Sequence, residues 1–128
     1  MSGGWWRWLA WLLLFGWWTF SLVTPHPVRA AHAVLPPEYH FAAAKTLHVS
    51  VYALLAGTLA WLPGPGWLRW AMVGVLSLHA GATEYAQTFV PGRTGSWRDV
   101  GLDHLGIALG LALTARRWRR ARGRPGRT

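Results

Sequence analysis

Four apolar stretches, separated by Pro- and Gly-rich breaks, constrain this chain more than any other feature. Crossing a bilayer takes about 20 mostly apolar residues in a helix, within a range of about 17 to 25. Residues 5–23 (WWRWLAWLLLFGWWTFSLV), 46–62, 67–90 and 100–118 all approach that length. The chain is 52% hydrophobic and 13% charged, against about 25% charged residues in an average soluble domain. The expected fold is therefore all-α, a polytopic membrane bundle of about four transmembrane helices. Residues 1–30 would hold the first helix and the start of an outer loop, 31–118 the helical core, and 119–128 an Arg-rich tail.

The breaks fit this layout. Pro63-Gly64-Pro65-Gly66 marks a tight turn, which makes the second and third helices antiparallel neighbours. The segment VPGRTGSWRD separates the third and fourth in the same way. Tryptophans gather at segment ends, where their amphipathic rings suit the headgroup level. The Pro-rich stretch after the first segment reads as a solvated loop carrying His26, His32 and His40. Ala31-His32-Ala33 has the form of a signal-peptidase site, but the apolar run is long and Pro25, Pro27 and Arg29 intervene, so an uncleaved first helix is expected.

Charge sets the orientation. Residues 116–127 (RRWRRARGRPGR) hold seven arginines and no acid, which places this tail in the cytoplasm. Arg7 and Arg69 then fall on the same side, and Arg29, Lys45, Arg93 and Arg98 on the other. A basic run beside a membrane span points to anionic headgroups as its partner, not to nucleic acid, despite a pI near 11.7. There are no cysteines, so neither a disulfide framework nor a thiolate metal site is available.

Of four acidic residues, three lie within 20 positions: Glu84, Asp99 and Asp103. On the hairpin layout they share one layer with Lys45, His48, Tyr52, Gln87, Arg93 and Arg98, near the outer boundary. Lys45 and His48 share a helix face, as do Glu84 and Gln87, and Asp99 and Asp103. Acids within a span call for partners, and Lys45, Arg93, Arg98 and His48 are available. Asp99 also fits a second account, because Ser96-Trp97-Arg98-Asp99 has capping-box spacing. His79 and His104 suit helix interfaces. No metal and no cofactor is expected, because HExxH and HxxxH spacings are absent. Gly106 and Gly110 form a GxxxG face, expected to pack within the bundle against Gly57, Gly74 or Gly81.

These residues resemble the VanZ-like family of small bacterial membrane proteins over roughly residues 40 to 115. The likeness lies in Lys45-Thr46-Leu47-His48 with Tyr52, in Glu84-x-x-Gln87, in Phe89-Val90-Pro91-Gly92-Arg93, in Asp99, and in Gly106 with Gly110. The chain departs at Asp103, where the family pattern has Asn. The resemblance implies a multi-pass protein of the bacterial cytoplasmic membrane. The family's namesake is associated with resistance to the glycopeptide teicoplanin.

Three functions follow as expectations. The first is binding or modification of an envelope lipid, such as a lipid-linked saccharide or lipoglycopeptide. Its head would meet Lys45, Arg93 and Arg98, with Tyr52, Gln87 and Asp99 completing the site. Glu84, Asp103 and His48 would be the acid–base candidates, since burial moves a carboxyl group toward the useful range. The second is a non-enzymatic accessory subunit whose polar layer clasps the helices. Transport ranks last, because polar groups do not continue across the span.

Overall fold

The computed structural model describes residues 3–122. All of its regular structure is helical, and the described residues contain no strand. Helix α1 spans Trp5–Val23, α2 His26–Val34 and α3 Pro37–Thr58, which continues as a 3-10 turn over Leu59–Trp61. Helix α4 spans Gly66–Gln87, α5 Trp97–Leu113 and α6 Ala115–Arg122.

The expected Pro-rich loop is instead α2 and the first turns of α3. Pro27 lies in the first turn of α2 and Pro37 in that of α3. There proline's missing N–H has no intrahelical partner to lose, and its fixed φ suits a helix start. The fourth expected segment also divides: Thr114 leaves helical geometry at φ −106° and ψ 10°, ending α5 before α6.

Helix α3 is the centre of the bundle. It packs most closely on α5, and α1 rests on both α3 and α4. The antiparallel pair expected from the PGPG turn barely touches, since α4 packs mainly on α5. Small residues explain why α5 displaces α4. A Cβ on Gly106 would lie 2.5 Å from the Val49 carbonyl oxygen, and one on Gly110 would lie 2.3 Å from that of Ala53. Only glycine permits such backbone approach. Gly57 meets Gly110 on this face, whereas Gly74 and Gly81 face open space.

The buried apolar centre joins Trp11, Trp18 and Leu22 of α1 to Tyr52, Leu55 and Leu59 near α3, with Leu76 of α4 and Ile107 of α5. Trp11 Nε1 donates to the Leu55 carbonyl at 3.0 Å. The outer surface is apolar too. Leu13, Leu78 and Leu113 are 64%, 77% and 84% exposed. By length and composition one helix among the described residues, Pro37–Trp61, can cross a membrane, and α1 and α2 meet the same criterion only as a pair bent by 78°.

The two ends of the bundle differ. Arg7, Arg69 and Arg117 donate to carbonyls of Trp61, of Leu62 and Gly64, and of Ala60 respectively. These cations therefore gather around the PGPG turn. At the other end, Pro91 and Gly92 occupy the middle of a turn closed by Arg93 N–H to the Val90 carbonyl at 3.1 Å. Gly92 has φ +78°, as the third position of a type II turn requires.

Candidate functional site at the α3–α4–α5 junction

The second end assembles the acidic residues. Helix α3 brings Lys45 and His48, α4 brings Glu84 and Gln87, and α5 brings Asp99 and Asp103. Lys45 forms an ion pair with Asp99. His48 Nδ1 lies 2.7 Å from Asp103 Oδ1 and 4.0 Å from Glu84 Oε1. All these residues are buried except Lys45, which is partly so. The polar groups do meet, but only α4 and α5 contribute them from a helix end; because α3 starts at Pro37, Lys45 and His48 lie two to three turns inside it.

Helix α5 starts with Ser96 as N-cap, whose hydroxyl accepts the Asp99 N–H at 3.2 Å. In a reciprocal capping box Asp99 would return to the Ser96 N–H. Here that N–H goes to Glu84 Oε2 at 3.0 Å, which leaves the Asp99 carboxylate for Lys45. Asp99 thus starts its helix and joins the polar layer at once. The approach needs Gly95, because a Cβ there would lie 2.1 Å from the Glu84 carbonyl oxygen.

The cations differ from the expected pairing. Arg93 Nε donates to the Thr24 carbonyl at 3.2 Å, and its Nη2 to that of Ser21. It therefore satisfies carbonyls at the α1 C-terminus, where a cation is favourable. Burial lowers the Arg93 pKa, and the nearby Glu84 charge opposes that shift. Arg98 is exposed and forms no ion pair among the described residues. The direction of helix α5 explains it, since Asp99 and Asp103 face inward and Arg98 does not.

A cavity of about 490 Å³ opens above this layer. Trp17, Trp18 and Leu22 of α1 and Val28, Ala31 and Leu35 beside or within α2 give it apolar walls. Lys45, His48, Gln87, Arg93 and Asp99 supply its polar part. Gln87 is 3% exposed and its Nε2 has no hydrogen-bond partner. Glu84 and Asp103 do not line the cavity. They sit behind His48, which does.

Tyr52 also lies off the cavity. Its hydroxyl meets His79 Nδ1 at 2.9 Å, and His79 Nε2 meets Thr19 Oγ1 at 2.8 Å. This chain of bonds joins α3, α4 and α1, so Tyr52 and His79 fasten the bundle. His104 likewise bridges to Ser77 Oγ at 2.7 Å. Sequence reasoning missed Trp18, whose ring stands edge-on to His48 with centroids 5.3 Å apart. It also missed α2 as a cavity wall, although Val28, Ala31 and Leu35 recur at helical spacing.

Comparison with protein-family models, curated proteins and solved structures finds no match to this chain.

Proposed function

We propose that the chain is a VanZ-like protein of the bacterial cytoplasmic membrane, and that it binds an anionic, lipid-tailed envelope molecule beneath α2. The observation that carries the reading is the cavity itself. Apolar walls accept an acyl or prenyl tail, while convergent polar groups fix a head. Lys45 has three donors and Arg93 has five. Their pairings with Asp99, Ser21 and Thr24 leave donors over, and the Gln87 amide nitrogen is unpartnered. A phosphate or other anionic head would use all of them.

The membrane setting has separate support. Leu, Trp and Phe side chains are exposed along α1, α3, α4 and α5. Large apolar surface, where it is contiguous, marks a membrane or interaction face. The cations near the PGPG turn and the basic α6 suit the cytoplasmic surface.

Turnover would assign His48 the acid–base role. It lines the cavity, and Asp103 orients it from behind in the arrangement of a base and its positioning group. A second reading has its own observation. Lys45–Asp99 and Glu84–Ser96 each tie one helix to another, which is what a purely structural clasp would do.

Native mass spectrometry after incubation with bacterial envelope lipids separates these readings. Wild type should retain an anionic lipid, and Ala44→Trp, which fills the cavity, should not. An altered lipid mass would make the protein an enzyme. Equal retention by both proteins, or by neither, would leave only the clasp.

A further inference from the structure

Behind the cavity, side chains from three helices converge without balancing one another. We propose that His48, Glu84 and Asp103 bind one divalent transition-metal ion of the zinc or manganese kind. One potential ligand atom from each lies within 4.8 Å of the others. Asp103, Glu84 and His48 are 0%, 4% and 7% exposed. Each carboxylate also has an oxygen with no hydrogen-bond partner, namely Asp103 Oδ2 and Glu84 Oε1. Buried charges of this kind ordinarily are paired or coordinate a metal.

Among the described residues no cation other than His48 forms an ion pair with them, and Arg93 and His104 act on Glu84 and Asp103 only from beyond ion-pair distance. Lys45 is held by Asp99, Arg93 lies on the carbonyls of Ser21 and Thr24, and Arg98 is exposed. His79 is engaged at both ring nitrogens by Tyr52 and Thr19. His104 is engaged by Ser77 and the Val100 carbonyl. Within ion-pair distance the two carboxylates thus share a single imidazole. A divalent ion supplies the missing charge and takes up the orphaned oxygens.

The donor set selects the ion. Imidazole with carboxylates suits zinc, manganese or ferrous iron, whereas calcium and magnesium prefer oxygen alone. Three protein ligands leave at least one coordination position open. His48 also lines the cavity, so the ion would adjoin whatever binds there. Coordination through His48 Nδ1 replaces its hydrogen bond to Asp103 and places the ring proton on Nε2. The sequence spacing concealed this set because each ligand comes from a different helix. The ion site is independent of lipid binding and is tested without lipid, but an ion-bound His48 would not serve as the Asp103-oriented base.

The test uses full-length protein in detergent, stripped with chelator and freed of any affinity tag. Zinc uptake is measured by equilibrium dialysis with elemental analysis, and cobalt by its ligand-field absorbance. Wild type should take up a single ion per chain, with cobalt displaced by zinc. Glu84→Gln and Asp103→Asn should each weaken binding about tenfold or more, the scale of disrupted metal shells. His32→Ala should bind as wild type does. That control matters because His32 and His40 stack with centroids 4.1 Å apart and offer an adventitious site. Binding lost in His32→Ala, or unchanged in both carboxamide variants, overturns the proposal. If those variants fail to fold, wild type decides: no uptake and no rise in melting temperature with zinc also overturns it.

Discussion

Glu84, in the last turn of α4, accepts the Ser96 backbone N–H at 3.0 Å and so caps a helix to which it does not belong. The exchange frees Asp99 to hold Lys45 on α3. The α4 and α5 ends and the body of α3 are therefore coupled through two carboxylates. Loss of the serine cap in Ser96→Ala should cost about 1 kcal/mol. Lys45→Met should cost about 1–3 kcal/mol, because it strands the buried Asp99 carboxylate. Denaturant titration in detergent measures both. A Lys45→Met protein as stable as wild type would show that Asp99 does not depend on this pair.

The α3–α5 contact makes a sharper prediction. Ala at Gly106 or Gly110 would press a methyl group against a backbone carbonyl, not against a yielding side chain. Overpacking of this kind costs about 1–3 kcal/mol. Gly101 lies on the same helix, and a methyl group there would meet nothing within 4 Å. Gly101→Ala should gain up to about 1 kcal/mol from helix propensity. Melting temperatures should therefore fall in the first two variants and hold or rise in the third. The same direction in all three would mean that the glycines do not mark the interface.

Much of this arrangement was legible in the sequence, and the remainder has physical reasons. Trp5–Val23 matches the first apolar stretch because its limits are set by Gly4 and Thr24 and by continuous apolar character. Ser96 was readable as a cap, and Gly110 as a packing position against Gly57. Helix α2 was hidden because prolines that usually signal loops stand in helical first turns. Arg98 was expected to pair within the outer polar layer, but rotation of a helix about its axis is not fixed by charge alone. Arg93 was expected to meet a carboxylate. Carbonyls at a helix end have no side-chain signature, so its actual partners were invisible. The grouping of His48, Glu84 and Asp103 depends on how three separate helices pack, which no local spacing encodes.

Arg93 should prove a fastener for α1. It reaches back 69 and 72 positions to Thr24 and Ser21. Its planar fork serves two carbonyls, which the single ammonium of lysine matches poorly. Arg93→Lys should loosen the C-terminal turn of α1 and the cavity wall beside it. The chain has no cysteine, so a thiol placed at Val23 reports on that turn alone. Its reaction with a maleimide should quicken about threefold to tenfold in Arg93→Lys, corresponding to about 0.6–1.4 kcal/mol of local destabilisation. An unchanged rate would mean that α1 is held by its tryptophans without help from Arg93.

The absence of native thiols also makes the membrane reading decisive to test. The proposed orientation puts the Pro91–Gly92 turn outside and the PGPG turn inside. Thr94 lies in the first loop and Gly66 starts α4 beside the second. In intact bacterial cells, Thr94→Cys should react with a membrane-impermeant maleimide, whereas Gly66→Cys should react only after permeabilisation. A Cβ at Gly66 meets nothing within 4 Å, so that substitution should not disturb the fold. Reversed labelling would invert the protein and move the cavity to the cytoplasmic side, where a different pool of anionic lipids would reach Lys45 and Arg93. Labelling of both sites in intact cells would remove the barrier between the two ends. The exposed Leu and Trp side chains would then require a protein partner in place of lipid.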